Sequence, residues 1–558
     1  MKSPTLRYTL LTFLIVFLWM CFLLKGMTIG DLDDWDHLLT VDQHTLGEIL
    51  RYLLTPWSTA ASWHARADLY SQILHERVFH SFLFKTGIVL WGFQPFLHYA
   101  LQKAIFFSIT TGLYFFLSYR LLRSFLWSSV LTFFFVMLPV NYMHLFWLCD
   151  GIVVAHTFIL LGVVCYLSLT RYSIDTPPSL KTTALVSIAL YYFSLFALRT
   201  KSPGLILPLT LLTVFLFNFN PIRKKRFFLV ALALSLALFA IIPIKSFALE
   251  KKVEGIKSSS KIQFNIDQVR RMVLRNDHNE YEPEKTTAFF SLKSDMPVSI
   301  ARNLGFFLLW LIIASILWNY RKRLLFSPIL SSDTKVLLRI AIVWMSFEIF
   351  FMGFFDTEPR YFSGTMIPIT WLASYSLKTA LDSLKGIFHK IFTYLLVIVT
   401  AYTSLGSHLS HNFFLRMRFS TRYEQVSKAA EIIYQTELKD QNPNPYNLGR
   451  FYCLYCDLSQ YQGPRLESWL YYSDIGLAHW QASGGDINNF SVQAHQGKPY
   501  YISYDSQKFV QDPNVQLVAQ IPPCSKQDIF CTFLMKIKKK KPSNIFVYRH
   551  SGVPPLSP

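Results

Sequence analysis

Apolar stretches long enough to cross a bilayer recur along the first 405 residues, separated by short polar or basic breaks. A helix needs about 20 apolar residues to span the hydrocarbon. On that rule the pattern predicts helices near Tyr8–Met27, Pro95–Tyr119, Leu126–Asn141, Gly151–Leu169, Ala184–Leu198 and Gly204–Phe219. Further ones follow near Phe227–Pro243, Ile300–Tyr320, Val336–Phe355, Gly364–Leu377 and Ile391–Leu405. The expectation is a polytopic all-α membrane protein with about eleven spans. Beyond about His408 the pattern changes. Thr421–Leu438 carries an amphipathic helical period, with Val426, Ala429, Ile432 and Ile433 on one side, and alternating stretches such as YYISY and IFVYR predict strands. The expected division is a transmembrane domain over 1–407, with outer loops at 27–85 and 248–298, and a small α+β extracytoplasmic domain over 408–558.

Composition agrees with that pattern. Apolar residues are 52% of the chain and charged residues only 16%, against about 25% in soluble domains. The net charge of +20 invites a nucleic-acid reading. The cations, however, punctuate apolar runs as loop anchors do, so no nucleic-acid partner is expected. Arg120, Arg123, Arg171, Lys181, Arg223–Arg226, Arg321–Arg323 and Lys378–Lys390 then fall on one face. The positive-inside rule makes that face cytoplasmic, with the N-terminus inside and the terminal domain outside. The first apolar run has the basic start of a signal peptide, but an acidic, aromatic stretch follows it where small residues would mark cleavage, so an uncleaved anchor is expected.

That stretch is GDLDDWDHLLT, Gly30–Thr40, which sets Asp31, Asp33, Asp34, Asp36 and His37 beside a membrane helix in an otherwise basic chain. Carboxylates at a lipid boundary are expensive, which points to function. Three other outer turns carry ionisable groups: Asp150, Arg199 with Lys201, and Glu358–Arg360–Tyr361. Acids and cations on one water-facing side suit a substrate that is both nucleophilic and anionic. A carboxylate takes the proton of an attacking hydroxyl, while Lys and Arg hold a phosphate. Paired acids also hold a divalent cation through oxygen. Plainer roles stand beside these: Asp150 as a helix cap, Arg199 and Lys201 as snorkelling residues, and Arg360 in an ion pair with Glu358. The histidines of the first loop (His37, His44, His64, His75, His80) show no repeated ligand spacing.

Three cysteines (Cys21, Cys149, Cys165) lie in or beside apolar runs and read as packing residues. Cys453, Cys456, Cys524 and Cys531 lie in the terminal region, where an even number outside the cytoplasm favours disulfides. The CxxC spacing also allows a redox pair or half a zinc site. Lys536–Lys541 is a solvated basic run that could meet anionic headgroups.

These motifs resemble the GT-C class of membrane glycosyltransferases. DDWDH is similar to the Asp-Glu-x-x-His pattern of protein O-mannosyltransferases and the Asp-Asp-Trp/Tyr forms of bacterial relatives. RTKSPGLILP resembles the lysine-bearing segment before an apolar helix in that class, and EPRYFSGTMIP its Arg-Tyr element before a late helix. SWHARADLY is similar to a Trp-x-x-x-Arg-Pro stretch, with Ala67 in place of the proline. The resemblance implies transfer of a sugar from a polyprenyl-phosphate donor to a glycan, lipid or protein acceptor, with inversion. Asp33 would be the base or acceptor-positioning acid, and Asp34 the second acid and a candidate ligand of a divalent ion (Mg or Mn). Arg360, Tyr361, Lys201 and Arg199 would hold the donor phosphate, and Asp150 would be the second loop acid. A bacterial inner membrane is the expected home, with membrane lipids around the helices. The rival readings are an O-antigen-type polymerase or ligase and a multispan transporter. The second draws on isolated charges such as Lys103 and Glu348 near or inside spans.

Overall fold

The structure is a computed structural model that describes residues 4–25, 44–54, 78–92, 95–138, 150–170, 178–217, 224–239, 333–352 and 363–383. It also describes four strands between 454 and 550 with their turns, and isolated positions elsewhere. The helices are α1 (Pro4–Leu24), α2 (Leu46–Leu54), α3 (Val78–Trp91), α4 (Pro95–Tyr99), α5 (Phe106–Leu122), α6 (Phe125–Met137), α7 (Ile152–Thr170) and α8 (Leu180–Leu198). They continue with α9 (Ile206–Phe217), α10 (Lys224–Phe239), α11 (Asp333–Met352) and α12 (Ser363–Ser383). Among the described residues, four helices are long and apolar enough to cross a membrane: Pro4–Leu24, Phe96–Leu122, Ile152–Leu169 and Leu180–Leu198. Ile300–Tyr320 lies outside the described residues, as do all of 248–298 and much of Ile391–Leu405.

The outer faces of these helices fit lipid. Leu11, Leu14, Ile15 and Leu18 of α1 are each half or more exposed, as are Leu185 and Ile188 of α8 and Leu216 and Phe217 of α9. In water such a surface would be an aggregation liability; against acyl chains it is the ordinary condition of a helical membrane protein.

Inside the bundle α5 is the hub. Gly112 lets the α1 backbone come close, since a Cβ there would meet the Thr9 carbonyl at 3.4 Å. Lipid tails are as apolar as leucine, so small residues and cross-helix hydrogen bonds do much of the holding. Thr110 Oγ1 and Thr157 Oγ1 lie 2.7 Å apart and join α5 to α7. The Tyr114 hydroxyl and Thr370 Oγ1 (2.6 Å) join α5 to α12, and Trp371 Nε1 donates to Ser118 Oγ at 3.1 Å. At its end, α5 stops where Arg123 takes a left-handed φ of 53°, and Ser124 caps α6 by accepting from the Trp127 N–H. Arg120 meets Asp333, the first residue of α11, at 3.2 Å. This end also holds the start of α1, with the Tyr8 ring 4.5 Å from Phe125.

From these pairings α1 runs away from the Asp333 end and finishes at the other. So do α8 and α11, whereas α5, α7 and α12 run towards it. Asp150, Arg199 and Lys201 therefore share the opposite end with the C-terminus of α1.

Three features differ from the sequence reading. The stretch 27–85, read as one loop, contains α2 and the start of α3. Thr45 caps α2 reciprocally with Glu48: the Glu48 N–H donates to Thr45 Oγ1 at 3.2 Å and the Thr45 N–H to Glu48 Oε2 at 2.8 Å. The apolar run read as starting at Pro95 passes through a π-helical segment, Ala100–Ile105, before continuing as α5. The span Leu126–Asn141 stops at Met137, because Leu138 precedes a proline and leaves the helical region at ψ 126°.

In the terminal region four strands form one sheet in the order β1 (Leu454–Cys456), β2 (Tyr500–Ser503), β4 (Ile545–His550), β3 (Val515–Ile521). β1 and β2 are parallel, and the remaining pairs are antiparallel. Gln425 donates to the Ile521 carbonyl at 3.0 Å, tying the residues around Ala429 to the sheet. Cys453, Cys524 and Cys531 lie outside the described residues, as does the side chain of Cys456; Cys21 and Cys165 are free thiols.

Glycine contacts give a direct test of this packing. A Cβ on Gly204 would lie 2.2 Å from the Ala197 backbone, whereas nothing lies within 4 Å of one on Gly47. Gly204→Ala is expected to destabilise the protein by about 1–3 kcal/mol, the range for overpacking. Gly47→Ala should leave the unfolding midpoint unchanged or slightly raised. Thermal unfolding of both variants in detergent checks this.

Candidate active site: a buried acid–cation centre

Asp150 sits between the polar turn after α6 and the first turn of α7, and only 2% of it is exposed. A carboxylate so placed needs compensation, and it receives it from several directions. Its Oδ1 accepts from the Ile152 N–H at 3.1 Å, which makes it the cap of α7. His144 Nδ1–H donates to Oδ2 at 2.8 Å. The Lys201 ammonium lies 3.7 Å from Oδ1. The Lys103 ammonium, fully buried, donates to the Asp150 backbone carbonyl.

Local sequence explains each position. Lys103 lies in the π-helical segment, where one widened turn re-aims side chains relative to a regular helix. Lys201 precedes a 3-10 turn, Ser202–Leu205, that has Pro203 in its first positions, so its own backbone is extended (φ −162°). Gly151 makes room for that turn, because a Cβ there would meet the Thr200 carbonyl at 2.8 Å. His80 of α3 donates to the Leu148 carbonyl at 3.1 Å and the Phe79 N–H to the Arg199 carbonyl at 3.1 Å, so α3 braces both turns.

The depth of the centre follows from helix geometry. Lys103 is nineteen residues before Leu122, which at the helical rise is roughly 28 Å, close to the hydrocarbon thickness. The Asp150 centre therefore stands at a membrane boundary if the Asp333 end stands at the other.

Of the residues expected from sequence, Asp150 and Lys201 are brought together. Arg199 is equally buried at 2% exposure, but its side chain senses Tyr191 of α8. Burial lowers its pKa to about 10, with Tyr191 opposing, so it remains charged at neutral pH. Asp33, Asp34, Arg360 and Tyr361 lie outside the described residues. Asp33 follows the last residue of α1 by nine positions, and Tyr361 precedes α12 by two. Among the described residues no group of three or more His, Cys, Asp or Glu could hold a metal ion. A metal at Asp34 falls outside them.

Four residues were not legible as site residues. His144 stood in a turn with no spacing signal. Lys103 and Glu348 were visible only as charges near or inside apolar runs, and His156 as one more polar residue in a span. His156 is the fifth residue of α7, within electrostatic reach of both His144 and Asp150.

No protein-family model matches the chain, and no curated protein matches it. Among solved structures, the chain is similar to ArnT from Cupriavidus metallidurans, determined bound to undecaprenyl phosphate. The identity is 13%, with 99% of this chain and 100% of that one covered, at a TM-score of 0.47.

Removing one partner of a buried pair strands the other charge. Asp150→Ala is expected to lower stability by about 3–5 kcal/mol, the range for such a loss. Adding Lys201→Met should recover part of the loss, so the double variant falls short of the sum. Denaturant titration of the purified variants in micelles measures both.

Proposed function

We propose that this protein is a membrane glycosyltransferase of GT-C type that transfers a sugar from a polyprenyl-phosphate donor to an acceptor at the Asp150 end of the bundle. The observation that carries the reading is the Asp150 centre itself. It is a buried acid with Lys201 on its carboxylate, Lys103 on its carbonyl and His144 on its other oxygen, at the end of the bundle where α1 finishes, nine positions before Asp33 in the sequence.

The chemistry follows from the charges. Lys201 stands on the Asp150 carboxylate and Lys103 on its carbonyl, and two ammonium groups held side by side in this way suit a phosphate leaving group. Asp150 fixes both ammonium groups in place, and His144 holds the carboxylate. Asp33 or Asp34 takes the proton of the acceptor hydroxyl or orients it for in-line attack at the anomeric carbon, an inverting displacement. Arg360, Tyr361 and Arg199 complete the phosphate site in this reading. The apolar helix faces shelter the prenyl chain, and the centre meets the phosphate at the boundary of the hydrocarbon. A divalent ion, if one takes part, belongs with Asp34. Cytoplasmic placement of the Asp333 end, a bacterial inner membrane and an extracytoplasmic terminal domain form part of the same proposal.

A transporter would be expected to carry its ionisable groups near mid-membrane, between broken helices. Here Lys103, Asp150 and Lys201 gather at one end, which favours chemistry at a boundary over passage through it.

The test follows radiolabelled sugar from polyprenyl-phosphate donors into membrane glycans, lipids or proteins, with variants matched for expression. Loss of the base in Asp33→Asn or Asp34→Asn should reduce transfer about 10²–10⁴-fold. Lys201→Met should reduce kcat/KM about 10- to 100-fold, the worth of one hydrogen bond to a charged group. Full activity in all three variants would remove both the acidic motif and the Asp150 centre from the mechanism.

A further inference from the structure

Beyond the Asp150 centre, a second polar junction lies deeper in the bundle, where α7, α11 and α12 meet. Glu348 of α11 is buried, and its Oε1 accepts from the Trp344 N–H one turn away at 3.1 Å. His156 of α7 is 4% exposed, and its Nε2 has no hydrogen-bond partner among the described residues. Both converge on Gly364, the second residue of α12. A Cβ there would lie 2.6 Å from Glu348 Oε1 and 3.4 Å from His156 Nε2. The two groups are not hydrogen-bonded to each other, yet both border one point, so a single small polar group can bridge them. Thr365, the next residue of α12, is fully buried, and its hydroxyl also lacks a partner among the described residues.

Buried polar atoms left open in a native fold ask for a water or a ligand group. The chemistry of this junction restricts which. Glu348 repels a phosphate. A hydroxyl fits both sides at once, donating to the carboxyl oxygen and accepting from the imidazole N–H. The first-turn N–H groups of α12, open as in any helix start, add donors at the same place. His156 is six residues along α7 from Asp150, about 9 Å by helical rise. The junction is thus set apart from the lysines, deeper in the bundle, and without a cation among its described groups.

We propose that Glu348 and His156 form a hydroxyl-binding subsite for the sugar ring of the donor. It orients the ring into the bundle while the phosphate stays with Lys201 and Lys103. The proposal rests on the glycosyltransferase reading and adds a direction and a specificity to it. Gly364 is what lets the Glu348 carboxylate stand against α12: a Cβ there would meet Oε1 at 2.6 Å and push it out of line with His156.

The experiment uses the full-length protein in nanodiscs with the polyprenyl-phosphate sugar that the wild type turns over, its monodeoxy analogues, and sugar-free polyprenyl phosphate as inhibitor. Glu348→Gln keeps the Trp344 contact, and His156→Asn keeps a polar group of smaller reach. Each is expected to raise KM for the full donor at least tenfold. Each should also erase the wild-type preference over one particular monodeoxy analogue, with inhibition by sugar-free polyprenyl phosphate unchanged. Gly364→Ala should act in the same way where it folds. Retained preference for the full donor in both conservative variants overturns the subsite. So does an equal loss with every analogue and with the sugar-free lipid, since a pair that held only water or packed the helices would behave that way. Absence of transfer by the wild type from any polyprenyl-phosphate sugar sinks the glycosyltransferase reading itself, which separates that failure from failure of the subsite.

Discussion

A single buried carboxylate sets the terms for one end of this molecule. Asp150, capping α7, cannot stay ionised in an apolar bundle without donors around it, and the turn after α6, the π-helical segment, the α8–α9 corner and α7 itself each bring one. Four separate stretches of chain are thereby held to one point. Replacing such a pair by apolar residues is often neutral or favourable for stability, so its presence argues for use more than for strength.

The remaining packing is arranged so that this point can exist. The long apolar helices such as α1, α5, α7 and α8 have no marked polar face, which leaves their pairing largely to small residues and hydroxyls. Gly112 against α1, Gly162 against Leu207, and the Thr110–Thr157 and Tyr114–Thr370 pairs supply that pairing. At the far end, the ion pair of Arg120 and Asp333 joins the α5–α6 corner to α11. Among the described residues, that end carries Asp333 between Arg120 and Arg123. The other carries Asp150, His144, Lys103, Lys201 and Arg199, all buried.

Under the proposed function, labour divides between levels of polar depth. Nearest the boundary stand the lysines and Asp150, suited to phosphate. One to two turns further in stand His156 and Glu348, suited to neutral hydroxyls. A lipid-linked sugar carries both chemistries within one small head group, and the two sets are about that far apart along α7.

Much of this was legible in the sequence. The length and recurrence of apolar runs gave helical spans, because a bilayer imposes about 20 apolar residues on any helix that crosses it. The basic breaks grouped Asp150, Arg199 and Lys201 on one side. The motif DDWDH and the Arg360–Tyr361 element were readable as chemistry, although their placement lies outside the described residues. The partners of Asp150 were not readable. Lys103 and Asp150 are 47 residues apart, and Glu348 and His156 are 192 apart; no periodicity links such positions. Helices that are apolar all round do not encode in their own pattern which face meets which neighbour. Only tertiary packing, through glycines that admit a backbone and hydroxyls that bond across helices, decides which buried charges share a site.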